Sequence, residues 1–135
     1  MMDYLIQLLT ELSEWKIRAF RHTGTFSAMK IASDLVTVSV KLDLTVQKTT
    51  LQYKNESEKC KEEQSMDLME TLSNRKDELD EHQREIETLL NRIFRDVFRV
   101  RYRDASEDIR CVCIEEMAKW ILTSPKGKYV NAIPS

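Results

Sequence analysis

The sequence predicts an all-α fold built around a long antiparallel helical hairpin. Three observations carry this. First, 135 residues contain only two glycines and two prolines while 33% are charged, so breaks are few and regular elements long. Second, apolar residues from Met69 to Val97 recur in alternating steps of three and four, the period of a helix with a coiled-coil-like seam. Third, the stretch Lys54–Ser65, KNESEKCKEEQS, is polar, acidic and poor in apolar anchors, as expected for the exposed bend between two antiparallel helices. A chain of this length makes one ordinary domain at most and buries roughly two-thirds of its unfolded surface.

Taken in order, Leu5, Leu8, Leu9 and Leu12 fall at helical spacing, and Ser13 offers an N-cap for a second short helix containing EWKIRAFRH. Thr23 or Thr25 can cap a third helix with Phe26, Met29, Ala32 and Val36 on one face, Gly24 loosening the junction. Apolar residues at 36, 38, 40, 42, 44 and 46 then alternate strictly, which taken alone is a strand signal. No second alternating run exists to pair with it, and a lone strand leaves its backbone groups without partners, so the balance favours helix. The seam Met69, Leu72, Leu79, Ile86, Leu90, Ile93, Val97 is interrupted only by Lys76 and Gln83. Asp104 followed by Glu107 gives a capping-box-like start for a last helix, in which Ile109, Val112, Cys113, Met117, Trp120 and Ile121 share a face before Pro125 and Gly127 end it.

The composition excludes several function classes. The N-terminus carries acids where a signal peptide needs bases, no stretch reaches the length of a membrane span, and three cysteines without a leader point to a reducing, intracellular setting. Cys111 and Cys113, two apart on a helix, point about 200° from each other and have no histidine cluster beside them to complete a metal site. His22 and His82 lack a nucleophile partner, and Glu115 with Glu116, or Asp80 with Glu81, read as solvated faces rather than acid and base pairs. No phosphate-binding glycine loop occurs. The chain is therefore expected to be no enzyme and to need no cofactor, metal or small-molecule substrate.

The formal net charge of -2 averages opposed patches. Lys54 to Glu87 holds twelve acids against six bases, whereas Arg92 to Arg103 holds five arginines against Asp96. Arginine forks suit phosphates and carboxylates, so Arg95, Arg99, Arg101, Arg103 and, in the next helix, Arg110 are the candidate binding residues; pairing with the chain's own acids or with a helix C-terminus is the competing explanation. Arg99, Arg101 and Arg103 are expected in the turn between helices, with Asp104 taken up by capping.

Arg101–Trp120, RYRDASEDIRCVCIEEMAKW, resembles the start of the stromalin conservative domain in the stromal antigen (STAG, stromalin) subunits of cohesin, which share RYRD, then IR, then CIEE, then W. LSEWKIRAFRHT, AMK, QYKNESEK and ELDEHQREIETLLNRIFRDVF extend the resemblance over about nine-tenths of the chain. It implies a fragment of a HEAT-like helical-repeat solenoid, and it implies that the alternating stretch lies in a long helix. It divides the chain into residues 1–98, a helical region with the long hairpin; 99–122, the start of the conservative domain; and 123–135, a divergent tail. The implied role is a non-enzymatic scaffold for kleisin, other cohesin subunits and weakly held DNA, serving sister-chromatid cohesion in mitosis or meiosis at nuclear chromosomes and truncated within the conservative domain. The family's pocket for aromatic partner motifs does not carry over, since Asn131 and Ala132 stand where glycine and the pocket tryptophan would be; Asp96 and Val100 replace a family glycine and histidine. The rival reading is an independent coiled-coil adaptor that self-associates through the Met69–Val97 seam. A solenoid piece without neighbours is also expected to expose apolar surface around Ile109, Met117 and Trp120.

Overall fold

The computed structural model describes residues 1–59 and 64–124 and divides into two compact units, 1–37 with 88–135 and 38–87. The helices are α1 (Met2–Ser13), α2 (Arg18–Lys59), α3 (Gln64–Ile93), α4 (Arg99–Arg101) and α5 (Glu107–Thr123). A π-helical turn, Phe94–Phe98, joins α3 to α4.

Unit 1 contains α1, the first part of α2, the end of α3, the π-turn, α4 and α5. Its core is Ile6 and Leu9 from α1, Met29, Ala32 and Val36 from α2, Leu90 and Ile93 from α3, Val97 and Phe98 from the π-turn, and Ile109, Cys113, Met117 and Trp120 from α5. In α1 the buried face is Ile6, Leu9 and Ser13, while Leu5 and Leu8 lie outside, one position away from the expected stripe. Arg92 ties α3 to α1 by donating to Gln7 Oε1 at 2.5 Å.

The expected break near Ser13 is present but the second helix starts later, at Arg18, and the boundary expected at Thr23 or Thr25 is absent. Ser13 ends α1, its hydroxyl donating back to the Thr10 carbonyl, and α2 runs unbroken through Thr23, Gly24 and Thr25. Gly24 lies inside α2 because α1 crosses it closely: a Cβ there would sit 2.7 Å from both Leu12 Cβ and Ser13 N. The glycine is spent on backbone approach, not on a turn. No proline precedes Pro125, so nothing else interrupts α2.

Unit 2 is the hairpin arm, Val38–Lys59 of α2 and Gln64–Glu87 of α3. Gln83 donates to Asp43 Oδ1. Those residues stand far from the ends of two helices separated by only four residues, so the helices must run antiparallel. The alternating stretch is helical throughout: Val40, Leu42 and Val46 are half-buried toward the seam, while Val38 and Leu44 face out. A helix satisfies its own backbone, which outweighs the β preference of valine. On α3, Leu79 is buried and Met69, Leu72, Lys76, Gln83 and Ile86 are half-buried, so the seam holds through both polar interruptions.

The last helix starts later than expected. Its N-cap is Ser106, and Asp104 Oδ1 instead accepts from the Ser106 backbone N–H at 2.8 Å. Ile109, Met117 and Trp120 are buried, contrary to the expectation that they would be exposed; Trp120 packs on Phe98 of the π-turn and donates to Ser33 of α2, while Ile114 and Leu122 face out. Pro125, Gly127 and the rest of the tail lie outside the described residues.

Candidate partner interface

Two buried carboxylates organise the arginine-rich end of unit 1. Asp104, with 2% of its side chain exposed, accepts a fork from Arg21, Nε at 2.7 Å and Nη2 at 3.0 Å, and Arg101 Nη1 at 2.8 Å. Arg110 Nη1 donates to the Asp104 and Ala105 carbonyls at 2.8 and 3.2 Å. Burial alone would raise the Asp104 pKa; hydrogen bonds from Arg21, the Ser106 N–H and Arg101 outweigh it and hold the carboxyl below its ordinary value.

The second carboxylate is Glu116, 4% exposed, at the α2–α5 contact. Its Oε1 accepts from Lys30 at 2.6 Å and Lys119 at 2.9 Å, and its Oε2 from Ser33 at 2.5 Å; Trp120 Nε1 donates to the same serine oxygen at 2.6 Å. Burial opposes ionisation here too, but the bonds from Lys30, Ser33 and Lys119 prevail and bring the pKa down to about 2. Glu116 is thus no solvated face; only Glu115 is.

These pairings sort the five candidate arginines. Arg101, 18% exposed, and the half-buried Arg110 point to Asp104 and the turn carbonyls. Arg95, Arg99 and Arg103 point out. Arg95, 68% exposed, pairs with its neighbour Asp96 at 2.9 Å, and Arg103 lies over the Tyr102 ring at 5.0 Å while its Nε donates to the phenol oxygen at 2.5 Å. The Arg99 side chain is exposed and has no ion pair or hydrogen bond among the described residues. The three recur at intervals of four from the π-turn to the turn after α4, each one position after a member of an aromatic stack: Phe94 on Phe98 at 5.0 Å, and Phe98 on Tyr102 at 5.5 Å. Arg99 and Arg101 belong to helix rather than turn, since α4 carries the chain on to Arg101.

Sequence reasoning missed Arg21, Lys30 and Ser33. Each sits on α2 more than eighty residues from its carboxylate, and no local pattern marks such a pair. An open cleft beside this end is lined by Arg18, Ala19, His22 and Asp108, with Arg18 paired to Asp108 at 2.8 Å. Cys111 is exposed and Cys113 buried, and burial pushes the Cys113 thiol up to about 12. Among the described residues no three His, Cys, Asp or Glu side chains gather as metal ligands, and no helix is long and apolar enough to cross a membrane.

Helices packed on one another, with ion pairs buried at Asp104 and Glu116 between them, define an all-helical protein. The STAG domain model matches residues 1–75, more than half of the chain, and the chain belongs to that family. Cohesin subunit SA-1 of Xenopus laevis is 44% identical over 121 residues, 90% of this chain and 10% of that protein. Cohesin subunit SA-3 of Homo sapiens is 44% identical over 137 residues, 96% of this chain and 11% of that protein. Among solved structures, cohesin subunit Scc3 from Z. rouxii superposes with a TM-score of 0.86 at 24% identity, covering 93% of this chain and 14% of the other, which shows the helical solenoid fold. The chain spans about a tenth of the length of the relatives it matches.

Proposed function

We propose that this chain acts as a cohesin-subunit-like scaffold at nuclear chromosomes, binding an acidic kleisin segment, and DNA phosphates more weakly, through the outward arginines Arg95, Arg99 and Arg103. The observation that carries this is the division of labour among the arginines: Arg101 and Arg110 are consumed by Asp104 and its turn, whereas Arg95, Arg99 and Arg103 are exposed and among the described residues none of them pairs with Asp104 or Glu116. Full-length relatives named as cohesin subunits support the assembly it joins. A role in sister-chromatid cohesion, mitotic or meiotic, and reduced activity relative to longer relatives belong to the same reading.

The self-associating adaptor has less support. Leu79 and Ile86, which it would need at a dimer seam, are buried and half-buried inside unit 2, where Gln83 of the same seam donates to Asp43 of α2.

Fluorescence anisotropy with a labelled acidic kleisin peptide and with duplex DNA tests the proposal. Arg99→Glu with Arg103→Glu should weaken both, and DNA affinity should fall with salt at a log–log slope of roughly −2 to −3, as for two or three neutralised phosphates. Unchanged affinities for the double reversal would rule the arginine face out.

A further inference from the structure

We propose that the outer face of α2 in unit 2 is a docking site for an acidic amphipathic helix of a partner protein. Lys41, Leu44, Lys48, Leu51 and Asn55 follow steps of three and four, the spacing of one coiled-coil stripe, and all five are exposed. Leu44 and Leu51 are 53% and 59% exposed, unusual for leucines at seam spacing. The stripe lies opposite the hairpin seam, where Leu42, Val46, Thr49 and Tyr53 turn inward. This surface belongs to unit 2, whereas the arginines belong to unit 1, and the proposal does not depend on them.

The identity of the occupant follows from charge. In heptad terms Leu44 and Leu51 take d positions, and Lys41, Lys48 and Asn55 take a positions. Polar residues at a lower stability but select partner and register. Between Lys41 and Leu51 the single carboxylate is Asp43, which accepts from Gln83 on the hairpin side, so the lysines have no acid of their own stripe. A second copy laid face to face brings lysine and leucine but no carboxylate. A partner helix with leucines opposite Leu44 and Leu51 and glutamates opposite Lys41 and Lys48 satisfies both halves of the stripe at once. Nucleic acid would use the lysines and leave the leucines wet.

The test uses the full chain and two labelled three-heptad peptides, identical except for Glu or Lys at their a positions. The wild type should bind the Glu peptide about tenfold more tightly than the Lys peptide, and Lys41→Glu with Lys48→Glu should reverse the preference, which also shows that the variant is folded. Leu44→Ser with Leu51→Ser should weaken the Glu peptide about tenfold. Equal affinity of the wild type for both peptides overturns the proposal. So does a concentration-dependent dimer abolished by the lysine reversals, which would make a second copy the occupant, or duplex DNA binding that needs the lysines and ignores the leucines.

Discussion

Lys30 on α2 and Glu116 on α5 meet at 2.6 Å, and the glutamate side chain of that pair is almost wholly shielded while the lysine side chain stays 44% exposed. Removing Glu116 therefore withdraws the acceptor for Lys30, Ser33 and Lys119 together from the α2–α5 contact. Glu116→Ala is expected to lower stability by about 2–3 kcal/mol. Glu115→Ala, one residue away and exposed, should stay within about 0.5 kcal/mol. Urea denaturation of the two variants makes the comparison.

The same site sets a pH dependence. Glu116 titrates at about 2 in the folded chain against an ordinary value of 4.5, so its contribution is fully present above about 4.5 and is lost as pH falls from there toward 2. Asp104 is shifted in the same direction. Melting temperature should decline across that window, and Glu116→Gln should flatten the decline. A wild-type profile level down to pH 2 would contradict the assignment.

Gly24→Ala separates local propensity from packing. Alanine is the better helix former by about 1 kcal/mol, so propensity alone predicts stabilisation. The new Cβ would stand 2.7 Å from the Ser13 backbone nitrogen, which no rotamer change relieves. The account predicts net destabilisation of about 2 kcal/mol in a thermal melt.

What the sequence made legible was periodic and local. The seam from Met69 to Val97 recurs every three or four residues, so its burial could be read without any knowledge of α2. Gly24 misled because a glycine that opens a turn and one that admits a neighbouring helix look the same in one dimension. In one dimension Glu116 looks like a surface acid because one of its cations, Lys30, lies 86 residues away. The alternating apolar residues of α2 carry a strand period, and the lack of a second such run to pair with it is the sign that helix prevails. Arginines crowded between Arg92 and Arg103 could be noticed as a cluster, but which of them turn inward is decided by Asp104 and Arg21, brought together by the fold.

Thiol chemistry offers an independent check on α5. Cys111 is exposed, and burial pushes the Cys113 thiol up to about 12, so brief alkylation at pH 8 followed by peptide mass spectrometry should modify Cys111 and spare Cys113 until the chain is unfolded. Equal labelling of both would mean that α5 does not pack as described.

The cohesin-subunit reading meets its most direct test in co-precipitation of the kleisin subunit from nuclear extract. The wild-type chain and the variant carrying Arg99→Glu and Arg103→Glu are immobilised at equal loading, with matched melting curves to show that both are folded. The account predicts kleisin on the wild type and its loss from the double reversal. Kleisin absent from the wild type, or retained equally by both, would contradict it.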